Sequence, residues 1–183
     1  MEKNKVLIVI DMQNDFVYGP LGTPEARAIV PNVMNKIADY KRNNWPILYT
    51  RDTHHEDYLD TQEGKKLPVP HCIHDTEGWQ IIPEIIPDEN GFIFYKNTFG
   101  KYDWELETWL DCKYARYDIE IIGVDTDVCV VSNALILKAT FPENEITVDA
   151  SCCAGSTPER HKAALEVMKS CQINVIGEGD LIK

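Results

Sequence analysis

Nothing in the 183-residue chain approaches the roughly 20 consecutive apolar residues that a membrane-crossing helix needs. The apolar stretch Val6 to Ile10 is too short for the core of a secretion signal, and it runs straight into acidic residues. Basic side chains are scarce: 18 Lys and Arg stand against 30 Asp and Glu, a net charge of −12 with His neutral. Such a surface repels a phosphate backbone or an anionic bilayer, so neither nucleic acid nor membrane is expected as a partner. Ten Gly and ten Pro are too few for a collagenous or low-complexity chain. No CxxC occurs among the six cysteines, and the adjacent Cys152 and Cys153 would make a poor tetrahedral clamp. A cytoplasmic location follows as the expectation, with the thiols reduced and mostly acting as small buried hydrophobes.

What is present is the composition of a globular protein, 44% hydrophobic and 26% charged, at a length that one compact domain spanning 1–183 would use. Val6 to Ile10 is a continuous β-branched and leucine run, the pattern of a strand covered on both faces. Ile47 to Thr50, Gly91 to Tyr95, Ile119 to Val124, Glu145 to Val148 and Asn174 to Ile176 repeat it, which gives about six strands. Helical spacing falls between them, at Val30, Val33, Met34, Ile37 and Tyr40, at Val130, Ala134 and Leu137, at Leu165 and Met168, and more loosely at Trp104, Leu106, Trp109 and Leu110. Alternating strands and helices predict a three-layer α/β/α fold around a mainly parallel six-stranded sheet, Rossmann-like in architecture. Two stretches escape the alternation, Tyr18 to Glu25 and Arg51 to Gly91; the second carries four of the ten prolines and four of the five histidines. Long irregular loops of this kind are commonly functional.

Ligands of open parallel sheets gather beyond the carboxyl ends of the strands. Asp11 follows the first predicted strand, Lys96 the third, and Gly123-Val124-Asp125-Thr126-Asp127-Val128-Cys129 the fourth, with Cys129 at a helix start. A helix N-terminus and a nearby ammonium lower a thiol's pKa, and a carboxylate can take its proton. Backbone amides from Asp125 to Cys129 could receive the oxyanion of a tetrahedral intermediate. Acyl transfer is the implied chemistry. Taken singly, Asp11 could be a cap, Lys96 a solvated loop cation and Cys129 an inert buried thiol; it is their shared edge that favours a site.

A second constellation is Arg51-Asp52-Thr53-His54, with Glu63 further on and His71 in Pro68-Val69-Pro70-His71-Cys72. Asp52 and His54, two apart at a strand end, can point the same way, and the loop could return His71 to them. Two imidazoles and one or two carboxylates suit Zn, Fe or Mn. His55 and His74 are rivals, and a histidine-rich loop that only hydrogen-bonds itself is the alternative.

Val9-Ile10-Asp11-Met12-Gln13-Asn14-Asp15-Phe16, Tyr95-Lys96-Asn97-Thr98-Phe99, Gly123 to Val130, and Asp149 to Ala154 followed by His161 and Ala164 to Met168 together resemble the isochorismatase-like cysteine hydrolases, the superfamily that contains nicotinamidases. The resemblance covers nearly the whole chain. It implies an isochorismatase-like hydrolase fold, a triad carried by Asp11, Lys96 and Cys129, and a cis peptide between Val124 and Asp125 that aims the amides of Asp125 and Cys129 at the oxyanion. It implies one divalent transition metal, zinc first, on Asp52, His54, Glu63 and His71, and a homo-oligomer. The isochorismatases proper lack the cysteine, so Cys129 points to hydrolysis of a small amide, nicotinamide first; another amide, carbamoyl or ureido compound is the alternative, and a non-catalytic binding protein a further one. Two departures stand out. Nicotinamidases typically carry a Trp shortly before the metal-binding His, where this chain has Leu67, Pro68 and Val69, and the residue at Asp125 is commonly small or apolar. Phe16 and Phe99 are the expected substrate-binding aromatics, with Tyr102 and Trp104 as further candidate walls.

Overall fold

A computed structural model describes residues 4–87, 91–104 and 117–180. Six strands form one sheet: β1 (Asn4–Ile10), β2 (Ile47–Asp52), β3 (Phe92–Lys96), β4 (Tyr117–Val124), β5 (Ile146–Ala154) and β6 (Asn174–Ile176). Their order is β3-β2-β1-β4-β5-β6, and every neighbouring pair runs parallel. The helices among the described residues are α1 (Asn14–Val17), α2 (Pro24–Ala28), α3 (Val30–Arg42), α4 (Gln62–Lys66), α5 (Val131–Thr140) and α6 (Pro158–Ser170).

Period-two alternation within β1 divides the core. Leu7 and Val9 face a cluster with Val33, Ile37 and Tyr40 of α3, while Val6, Ile8 and Ile10 face one with Ala134 and Leu137 of α5 and Leu165 and Met168 of α6. Helices thus cover both faces, as expected of a three-layer fold. Thr23 and Thr157 cap α2 and α6 through their side-chain oxygens, each with Pro at the helix start. Among the described residues no helix is long and apolar enough to cross a membrane.

Two boundaries differ from the sequence reading. β5 continues six residues past Val148, through Asp149-Ala150-Ser151-Cys152-Cys153-Ala154, because pairing of Cys153 with Gly123 and Ala154 with Val124 holds a segment that has no apolar run of its own. The stretch from Arg51 to Gly91 contains α4 and two short 3₁₀ turns, Tyr58–Asp60 and Pro83–Ile85. Trp104 packs edge-on against Phe94 in the core rather than lining a pocket, and Tyr102 is exposed. Leu106, Trp109, Leu110 and Cys112 lie outside the described residues. At Gly123 in β4 only glycine fits: its φ is +120°, and a Cβ would stand 2.1 Å from the Ile10 carbonyl oxygen.

Candidate active site and metal centre

The order of the sheet reverses beside β1, and the chemistry gathers there, at the carboxyl ends of β1 to β4. Asp11, fully buried, leaves β1 in the left-handed region at φ 48°. Thr50 of β2 holds it twice, donating from Oγ1 to Oδ1 at 2.7 Å and accepting from the Asp11 amide at 3.1 Å. Lys96, the last residue of β3, places Nζ 2.6 Å from Asp11 Oδ2 and 3.6 Å from Cys129 Sγ. Cys129 sits in one wide helical turn, Thr126–Val130, that leads into α5. The Val124–Asp125 peptide before it is cis, as the resemblance implied. The Asp125 carbonyl accepts from the amides of Val128 and Val130 at 3.0 Å, which fixes the turn.

The electrostatics differ from a thiol activated by a helix end. Burial pushes the Cys129 thiol well above its ordinary range; Lys96 opposes this, while Asp11 and Asp52 add to it. Burial also raises Asp11 against the pull of Lys96. Burial alone would lower Lys96, but Asp11, Cys129 and Asp52 outweigh it and hold the ammonium firmly charged. The expectation of a lowered thiol pKa is therefore corrected, because desolvation wins at a fully enclosed sulfur. The upward shift makes Asp11 a stronger base than an ordinary carboxylate, beside the thiol whose proton it would take.

Asp52 is the last residue of β2, and Gln13 clamps its backbone by accepting from its amide at 2.7 Å and donating to its carbonyl at 2.9 Å. Its Oδ1 stands 3.4 Å from Lys96 Nζ, and its Oδ2 lies 3.1 Å from His54 Nε2 and 3.6 Å from His71 Nε2. One ligand atom from each of Asp52, His54 and His71 falls within 4.8 Å of the others. Burial pushes the Asp52 carboxyl up, but Lys96 and the two imidazoles outweigh it and hold the group well below the usual carboxylate range. His71 Nδ1 lies 2.8 Å from the Val69 carbonyl oxygen, which can only accept, so Nδ1 carries a proton and Nε2 is the ring nitrogen that faces the cluster. His54 Nε2 is buried without a hydrogen bond among the described residues. An orphaned imidazole nitrogen beside an ionised carboxylate fits a divalent transition metal. Glu63 Oε1 lies 3.6 Å and 3.8 Å from the same two imidazole nitrogens, at the rim of the three-residue cluster.

Phe16 packs edge-on to His71 at 5.4 Å between ring centroids, and Phe99 is half exposed. His74 lies against Trp79 and pairs with Asp75, with His55 beside it; both stand apart from the cluster. Asp125 is partly buried rather than turned to solvent. The five cysteines among the described residues are all free thiols. Sequence reasoning missed Thr50 and Gln13. Each lies two residues from a singled-out carboxylate, Thr50 before Asp52 and Gln13 after Asp11.

A sheet with both faces covered and a buried carboxylate, ammonium and thiol at its reversal point define an isochorismatase-like hydrolase. The chain belongs to the isochorismatase family, whose domain matches residues 5–179. It is 27% identical to the nicotinamidase of Schizosaccharomyces pombe, with 100% of this chain and 97% of that protein aligned. It is 26% identical to the nicotinamidase/pyrazinamidase of Mycobacterium tuberculosis, over 94% and 98%. The crystal structure of pyrazinamidase from Pyrococcus horikoshii in complex with zinc superposes with a TM-score of 0.78 at 27% identity, covering 94% of this chain and 98% of that one.

Proposed function

We propose that this amidohydrolase is a cysteine-dependent nicotinamidase that hydrolyses nicotinamide to nicotinate and ammonia through a thioester on Cys129. The observation that carries the reading is the single ammonium of Lys96 in reach of the Asp11 carboxylate, the Cys129 sulfur and the Asp52 carboxylate at once. Relatives along the full length of the chain that are named nicotinamidase support it.

Asp11 takes the thiol proton as the sulfur attacks the carboxamide carbon, and the Lys96 charge offsets the anion that forms. The carbonyl oxygen becomes an oxyanion received by the backbone N–H groups of Asp125 and Cys129. Asp11 returns the proton to the departing nitrogen, which leaves as ammonia, and an acyl thioester remains. Water then attacks the thioester, Asp11 accepts its proton and passes it back to sulfur, and the carboxylic acid is released as its anion. Asp52, His54 and His71, with Glu63 beside them, would hold the metal. When bound, a divalent transition metal such as zinc would supply an anchoring Lewis acid for a ring nitrogen. Phe16 and Phe99 would wall the ring. The reading extends to a cytoplasmic homo-oligomer.

One observation favours a second reading, hydrolysis of a carbamoyl, ureido or other small amide with the same triad: Leu67, Pro68 and Val69 stand where a ring-stacking Trp is typical. Ammonia release from nicotinamide, pyrazinamide, benzamide and an N-carbamoyl amino acid decides between them. Fastest release from nicotinamide or pyrazinamide supports the nicotinamidase reading, and fastest release from the carbamoyl compound overturns it.

A further inference from the structure

Asp15 lies in the segment Gln13-Asn14-Asp15-Phe16 that follows the base Asp11, and the hydrolysis mechanism gives it no part. It is half-buried in the first turn of α1. Its Oδ2 accepts from the Cys72 amide at 2.7 Å, a short bond of the kind a carboxylate acceptor makes. Cys72 is fully buried and holds φ at 47°, a left-handed conformation that is uncommon for a residue with a side chain and persists only where the surroundings fix it. The Asp15 carboxylate is one of the contacts that fix it.

Cys72 stands between the two imidazoles of the metal cluster. It follows His71 directly in the chain, and its carbonyl accepts from the His54 amide at 2.9 Å. The His54 carbonyl in turn accepts from the His74 amide at 2.8 Å, so the loop runs beside His54 as a short parallel bridge. Phe16 packs on the His71 ring and Tyr58 on both rings, while the separation of the two backbones that carry them runs through Cys72. Asp15 is itself tied down: its amide donates to the Gly78 carbonyl at 3.0 Å, and its carbonyl accepts from the Leu21 amide at 3.1 Å. A Cβ on Gly78 would collide with both carboxylate oxygens, so the backbone there closes over the carboxylate and leaves it little room to swing away.

We propose that Asp15 is a positioning residue for the metal centre, setting through the Cys72 backbone the spacing at which His54 and His71 present their nitrogens. With Gln13 clamping the backbone of Asp52, one short segment then fixes all three ligands of the cluster. Ligands held at the right spacing before the ion arrives bind it more tightly than ligands the ion has to gather. The proposal rests on the reading of Asp52, His54 and His71 as a metal site.

The probe is cobalt(II), titrated into the metal-free full chain, with visible absorption reporting the geometry of the ligands and a competing chelator reporting affinity. Asp15→Ala should bind cobalt about 10- to 100-fold more weakly than the parent, with an altered spectrum. Asp15→Asn keeps an oxygen that can accept from the Cys72 amide and should recover most of that loss. Asn14→Ala removes a different tether of α1, the side-chain bond to the Glu77 carbonyl at 2.9 Å, and should lower the melting temperature with cobalt affinity unchanged. In the metal-free proteins the Cys72 amide proton resonance should move upfield in Asp15→Ala and far less in Asp15→Asn. Cobalt affinity in Asp15→Ala equal to the parent's, an equal loss in Asp15→Asn, or an equal loss in Asn14→Ala overturns the positioning role. A Cys72 resonance unmoved in Asp15→Ala overturns it whether or not metal is bound. No cobalt binding by the parent, or binding that survives His71→Ala, would instead overturn the metal reading, and the role of Asp15 with it.

Discussion

Asp52 and Lys96 face each other at 3.4 Å, which joins the histidine cluster and the Asp11–Cys129 pair into one buried charge network. Lys96 thereby has two carboxylates in reach, and neither half of the site can be altered without changing the field at the other. A variant that empties the histidine cluster should therefore also shift the titration of Cys129.

Cys129 itself should be indispensable. In Cys129→Ala or Cys129→Ser, turnover of the best amide should fall by several orders of magnitude, roughly 10³-fold or more, with the melting temperature nearly unchanged. Steady-state rates beside thermal melts check this. An alanine variant with full turnover would exclude a thioester.

Asp11 and Lys96 should separate by the way each acts on the thiol. Asp11→Asn removes the proton acceptor, so turnover should collapse while the sulfur, relieved of a neighbouring anion, titrates lower. Lys96→Met removes the only effect that lowers the thiol among those described, so alkylation at neutral pH should slow further. A thiol titration curve that moves in neither variant would remove both residues from the chemistry.

The metal and the preference for a ring nitrogen should be lost together. Protein purified without chelator should hold about one transition-metal ion per chain by elemental analysis, and His54→Ala or His71→Ala should lose it. Nicotinamide should be hydrolysed faster than benzamide by the parent enzyme, and that advantage should vanish in either variant. A persistent preference in metal-free protein would show that the pocket walls select the ring.

Asp125 should make stability depend on pH. Burial, with Asp127 and Asp11 adding to it, raises its pKa to about 7, above the ordinary carboxylate value of 3.8. The native state thus favours the protonated form, so this group's stabilising contribution is complete below about pH 4 and is lost as pH rises through about 7. Asp125→Asn, neutral throughout, should be more stable than the parent at pH 8 by on the order of 2–4 kcal/mol, with the gap closing toward pH 4. Thermal melts at pH 5 and pH 8 test it; a shift of equal size at both values would mean that the carboxyl is not raised.

Much of this was legible in the residues, for identifiable reasons. Both-face burial leaves continuous apolar runs, so β1 and β4 declare themselves, and a residue just past such a run is placed on the sheet's edge whatever its partners. That placed Asp11, Lys96 and Cys129. The contacts that tune them were not legible, because Thr50 and Gln13 reach them from neighbouring strands and loops, and pairing between strands leaves no mark in a local pattern. The direction of the thiol shift was missed for a related reason. A helix start can be read from sequence, whereas the degree of enclosure depends on four segments meeting. The second half of β5, Asp149 to Ala154, was legible only through the family resemblance, because it has no apolar run of its own and is held as a strand by pairing with β4 and, at Asp149, with β6.

Asp11, Lys96 and Cys129 arrive just after β1, at the end of β3 and after β4, and the ladders between those strands bring them together. Each of the ladders joins segments far apart along the chain, and such pairings are slow to form because a large loop must close before any contact compensates for it. Recovery of turnover after dilution from denaturant should therefore trail the return of helical signal, since helices can form within their own segments. For the same reason, a chain cut between β1 and β4 should regain activity only where its two pieces rejoin in register.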